Sequence, residues 1–161
     1  MVKGNSKQSK IKPLVLETFL SVVEKSVGTK MFQTIWAEVG GRKTDATEKG
    51  DLSCAFYVSA ILAMFGFLDH SRATVKSTEE ALVKAGWKKT KKLAPGTVIV
   101  WGPPRDGSHA HNHIGFYIGG DKAISNSSTK RVPTKHHVTF GRETDKKFRP
   151  ITAIYRHPKL K

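Results

Sequence analysis

Ser53-Cys54-Ala55-Phe56-Tyr57-Val58 opens an uncharged run that continues to Leu68, and its reading decides the fold. As a helix those 15 residues rise about 22 Å, short of the roughly 30 Å hydrocarbon core of a bilayer, and Ser59 and Gly66 interrupt them. The stretch therefore reads as a buried core helix with Cys54 in its first turn and Asp51 as the expected N-cap. A cysteine placed there lies beside free backbone N–H groups and the positive end of the helix dipole, which favours thiolate. Free cysteine is also a common buried small hydrophobe, so the position becomes chemical only if a base is found.

Working outward toward the N-terminus, residues 1–12 read as a flexible basic arm, with Lys3, Lys7, Lys10 and Lys12 and no apolar stretch. Pro13 can open a helix whose apolar face is Leu16, Phe19, Leu20, Val23 and Val27, stopped by Gly28. Phe32, Ile35, Trp36 and Val39 repeat that spacing and predict a second short helix ended by Gly40-Gly41, with Arg42 to Gly50 as a loop. On the other side, Ser77-Thr78-Glu79-Glu80 has the form of a capping box for a short helix closed by Gly86.

Beyond Gly86 the period changes to that of strands. Pro95-Gly96 signals a turn, Val98-Ile99-Val100-Trp101 is β-rich, and Gly102-Pro103-Pro104 stops it. His113 to Ile118, the turn Gly119-Gly120-Asp121 and Lys122 to Ser125 predict a hairpin, and Ile151 to Tyr155 a last strand. Helices followed by strands mean an α+β fold, with residues 13–161 as one domain. Trp36, Trp87 and Trp101 adjoin apolar runs and are expected in the core.

The chain of 161 residues carries a formal charge of +15, and its single Cys excludes an internal disulfide. The charge is uneven: +3 for residues 1–53, +4 for 54–107 and +8 for 108–161. Such a balance, with a cluster at Lys88, Lys89, Lys91 and Lys92, suits an anionic partner: nucleic acid, an anionic cell wall or acidic lipid. Nucleic acid is disfavoured because no alternation of aromatic and basic residues for base stacking is present.

A base candidate lies 59 residues beyond Cys54, in Ser108-His109-Ala110-His111-Asn112-His113. On a strand the three His would share a face, but no carboxylate or second Cys accompanies them and zinc is usually held from more than one element, so no metal or other cofactor is expected. His113 is the better general base. It begins a strand in which Ile114, Phe116 and Ile118 face the core, leaving His113, Gly115 and Tyr117 on the other face, and Gly115 leaves room for a helix end or a substrate. His136 and His137, in a basic stretch with Pro133, read as exposed loop residues, while His136 remains a candidate cleft residue with His111 and Tyr117; His70 and His157 have no evident role.

The ordered set of Cys54 opening a helix, Pro95-Gly96-Thr97-Val98-Ile99-Val100-Trp101 and His113-Ile114-Gly115-Phe116-Tyr117-Ile118-Gly119 resembles the papain-like cell-wall hydrolases of the NlpC and CHAP types over roughly residues 50–126. The resemblance implies a Cys-bearing helix packed on an antiparallel sheet. It further implies Cys54 as nucleophile, its backbone N–H in the oxyanion hole, His113 as base and a polar third residue that orients the His. Ser53 before the Cys and Ala55-Phe56 after it depart from the usual Asp and Ser-Gly and mark a divergent member.

The third residue has two candidates. A two-residue hairpin loop puts Asn126 on the His113 face, whereas a three-residue loop puts Ser125 there and pairs Ile124 with Phe116. The apolar pattern favours Ser125; a side-chain amide is the better acceptor for a ring N–H, so Asn126 is the expected third residue with Ser125 as the alternative. The expected function is a monomeric cysteine amidase or endopeptidase acting on bacterial peptidoglycan or another anionic peptide-containing substrate, with acyl transfer or protein hydrolysis as variants of the same chemistry. No secretory signal is visible, so the expected setting is the cytoplasm or export by a non-classical route such as phage lysis or a secretion system.

Overall fold

Pro13 does precede a helix. The structure, a computed structural model, describes residues 10–161, so most of the expected N-terminal arm lies outside the described residues. Helix α1 spans Val15–Lys25 and buries Phe19 and Val23 completely. The expected second helix is instead a hairpin of β1, Trp36–Val39, and β2, Arg42–Asp45. Gly40 and Gly41 both take positive φ, 58° and 77°, the conformation of the two-residue turn whose twist matches paired strands. The helical spacing of Phe32, Ile35, Trp36 and Val39 is overridden by that turn, and Trp36 is 64% exposed rather than in the core, with Lys43 Nζ 4.6 Å over its ring.

The loop after β2 is built on Asp45, whose carboxylate accepts from the Thr47 hydroxyl at 2.6 Å and from the main-chain N–H of Thr47, Lys49 and Ile35. Those bonds, the Thr47 hydroxyl foremost, hold the Asp45 carboxyl at about 2. A single turn of 3-10 helix, Glu48–Gly50, follows, and Gly50 at φ 97° presses against the Arg131 carbonyl, where a Cβ would lie 2.8 Å from the oxygen. The loop that delivers Cys54 thereby packs closely against Arg131.

Helix α2 spans Cys54–Met64 and ends before Gly66, and α3 spans Val75–Lys84. Thr74 caps α3 by accepting from the Ser77 N–H at 3.1 Å, so Ser77 lies inside the helix and the cap stands three residues earlier than its Ser-x-x-Glu pattern suggests. The strands are β3 (Lys88–Lys89), β4 (Val98–Trp101), β5 (His113–Gly119), β6 (Lys122–Ser127), β7 (Val132–His137) and β8 (Ile151–Arg156). They form an antiparallel sheet in the order β3-β8-β4-β5-β6-β7. The fold is α+β, as expected. Strand β7, read as a basic loop from sequence, is an edge strand, and an edge is where Pro133 can stand without breaking a ladder.

Helix α2 packs on β5 and β6. Toward it the sheet turns Val98, Val100, Ile114, Phe116 and Ile124, all buried in one core with Phe19, Tyr57 and Leu62; Phe116 meets the rings of Phe19 and Tyr57 edge-on at 5.3 and 5.7 Å. Ile99, Trp101, Ala123 and Val138 form a second, smaller core on the opposite face. Among the described residues no helix is long and apolar enough to cross a membrane.

Candidate active site

Cys54 is the first residue of α2, and its N-cap is Ser53 rather than Asp51. No side chain caps this helix: the Ser53 hydroxyl is buried without a hydrogen-bond partner among the described residues, so the first-turn N–H groups stay uncapped. The N–H groups of Ile114, Ala55 and Cys54 lie near enough to the half-buried sulfur to draw its pKa down. Burial nevertheless pushes the thiol above its ordinary range, outweighing those N–H groups and the charge of Arg149. The helix terminus therefore does not produce the resting thiolate that position alone suggests.

His113 opens β5 opposite Trp101, with its ring 5.8 Å from Trp101 and 5.6 Å from Phe140. Burial, then the charge of Arg149 and the neighbouring His136 and His109, holds its imidazole down at about 3. Thiol and imidazole are both neutral at rest.

The hairpin closes on the two-residue loop Gly120-Asp121, with Gly119 paired to Lys122, but a bulge between Tyr117 and Gly119 shifts the register so that Phe116 pairs with Ile124; Ile124 therefore joins the α2 core and Ser125 points to the His113 face. There the Ser125 Oγ lies 2.8 Å from His113 Nε2 and 2.8 Å from His136 Nε2. Space for it exists because position 115 is glycine: a Cβ would lie 2.7 Å from the Ser125 Cβ and 2.6 Å from the Ile124 carbonyl oxygen. The room at Gly115 is filled by Ser125 and Trp101, not by a helix end or substrate.

The direction of these hydrogen bonds follows from their far end. His136 Nδ1 lies 2.7 Å from the His137 carbonyl, which only accepts, so Nδ1 carries the proton of His136, an imidazole that burial holds neutral at about 4. His136 Nε2 must then accept from the Ser125 hydroxyl, and Ser125 in turn accepts from His113 Nε2–H. His113 is left with its lone pair on Nδ1.

A cleft of about 920 Å³ contains Cys54, His113, Ser125 and His136, and the loop between β4 and β5 forms one wall with His109 and His111. His109 and His111 are exposed in that loop and do not share the strand face of His113. His136 belongs to β7 and stacks on Phe140 at 3.9 Å; its parity with Ser125 across the β6–β7 pair is the signal that sequence reading missed. Tyr117 does not line this cleft and packs against the second core. Asn126 turns to the α2 side, where its Nδ2 donates to the Gly50 carbonyl at 2.8 Å and its Oδ1 is buried without a partner among the described residues. Among the described residues no three His, Cys, Asp or Glu side chains converge as a metal-ligand group.

No protein-family model matches the chain, and no curated protein matches it. Among solved structures it is similar to NlpC2 from Trichomonas vaginalis, with a TM-score of 0.54 and 15% identity over 91% of this chain and 50% of that one. The fold is NlpC-like. The chain spans about half the length of that NlpC2 structure, and the likeness at this identity is one of fold.

Proposed function

We propose that the cleft is the active site of a cysteine hydrolase that cleaves amide bonds in the peptides of bacterial peptidoglycan. The observation that carries this reading is the polarity of the His137 carbonyl, His136, Ser125 and His113 chain, which leaves a bare, neutral Nδ1 on an imidazole sharing its cleft with the chain's single thiol. His113 takes the Cys54 proton as the sulfur attacks the amide carbonyl, and the uncapped N–H of Cys54 donates to the oxyanion. The imidazolium then gives its proton to the leaving amine, a thioester remains on Cys54, and water activated by His113 releases the acid. Ser125 and His136 hold the imidazole in one tautomer throughout, and Asn126 acts at a distance by tying β6 to the loop before Cys54. The choice of peptidoglycan rests on the NlpC-like fold and on the +8 charge of residues 108–161, which suits an anionic wall.

Digestion of purified peptidoglycan tests the reading. Wild type is expected to release new amino groups, with Cys54→Ala and His113→Ala at background; full activity in both variants contradicts the mechanism.

A further inference from the structure

Arg149, in the segment before β8, is half-buried on the wall of the same cleft. Its Nη1 donates to the carbonyl of Gly102 at 2.9 Å and of His111 at 3.2 Å, its main-chain N–H donates to Thr139 at 3.0 Å, and its guanidinium lies 5.7 Å from the centre of the Phe140 ring. These contacts fix the charge in place without neutralising it. Among the described residues no carboxylate lies within 4.0 Å of Arg149, and its Nε and Nη2 donate to no protein acceptor. Asp106, on the same cleft, accepts from the Ser108 N–H and is close enough to feel the charge of Arg149, but makes no ion pair with it. A partly desolvated cation with spare donors is costly unless something binds it, and a guanidinium fork matches a carboxylate. Its field reaches the thiol, which it draws downward against burial.

We infer that Arg149 is a carboxylate-binding subsite of the cleft, so that the preferred substrate is an acidic peptide with a carboxylate close to the amide attacked by Cys54; this rests on the cleft being the active site. Exposed Lys76 and Lys147 border the same space but are free ammonium groups with no such positioning.

The single cysteine makes alkylation a probe of this one place. Iodoacetate and iodoacetamide differ by a carboxylate in place of an amide, and the ratio of their rates at Cys54 reads the anion preference. The ratio is expected to fall about 10-fold in Arg149→Gln, the scale of one charge-assisted hydrogen bond. It is expected to be partly kept in Arg149→Lys, which also serves if Arg149→Gln does not fold, and to be unchanged in Lys92→Gln, which removes the same charge outside the cleft. A ratio unaffected by both Arg149 variants, or an equal fall in Lys92→Gln, overturns the subsite. With peptides carrying either a carboxylate or a carboxamide beside the scissile bond, KM should rise in Arg149→Gln for the carboxylate peptide only. If wild type cleaves neither peptide while the alkylation ratio still depends on Arg149, the hydrolase reading fails and the anion site stands.

Discussion

The two faces of the β5–β6 pair differ as sharply as any two regions of this molecule. Toward α2 the pair presents Ile114, Phe116 and Ile124 to a dry core; on the other side, at alternate positions of the same strands, stand His113, Gly115 and Ser125. One face holds the fold together and the other arranges polar groups, while the Cys54 thiol, at the start of α2, packs at the margin of the apolar side.

The largest effects test that separation directly. Phe116→Ala removes a ring packed against Phe19 and Tyr57 and should lower stability by about 3–5 kcal/mol in urea titration, with activity per folded molecule retained. His113→Ala should abolish hydrolysis in the molecules that stay folded, at a smaller cost in stability than Phe116→Ala. Gly115→Ala strikes both faces, because its Cβ meets the Ile124 backbone and the Ser125 side chain; a loss of about 1–3 kcal/mol together with reduced kcat is expected.

Next comes the hydroxyl itself. Ser125→Ala breaks both imidazole contacts and should lower kcat by about 10- to 100-fold with KM little changed, while Ser125→Thr, which keeps the hydroxyl, restores much of it. The pH dependence of stability follows from the same pair. His113 and His136 are held near 3 and 4 when folded, below the ordinary 6.5, so the unfolded chain binds more protons between those values and stability falls as pH drops from about 6.5 toward 3. His136→Gln should flatten that slope by up to about 1.4 kcal/mol per pH unit, read from urea midpoints across the interval. The smallest effect belongs to exposed Trp36, whose replacement by Ala should move stability by no more than about 0.5 kcal/mol.

What could be read in the sequence follows the same division. The apolar face was legible because period and length speak there without competition: Leu16 to Val23 and Val98 to Trp101 became the elements their spacing implied, and Cys54 to Leu68 became a helix as far as Met64, just before Gly66. Phe32, Ile35, Trp36 and Val39 fit a helix equally well, and only the backbone freedom of Gly40-Gly41 marked the hairpin. On the polar face, pairing arithmetic pointed to Ser125 opposite Gly115, while the chemical preference for an amide pointed to Asn126; in the structure the Ser125 hydroxyl reaches His113 and Asn126 reaches Gly50. His136 was legible as a cleft residue, but its contact with Ser125 was hidden because Pro133 disguised its strand as a loop, and the state of the Cys54 thiol depends on burial, which no local motif encodes.

His113 can take the thiol proton only through a nitrogen that carries none. Nitrogen-15 shifts of the His113 imidazole at neutral pH measure this most directly. Protonated Nε2 and bare Nδ1 are expected; a protonated Nδ1, whether in the opposite tautomer or in an imidazolium, would contradict the chain of hydrogen bonds on which the proposal of His113 as the base for Cys54 rests.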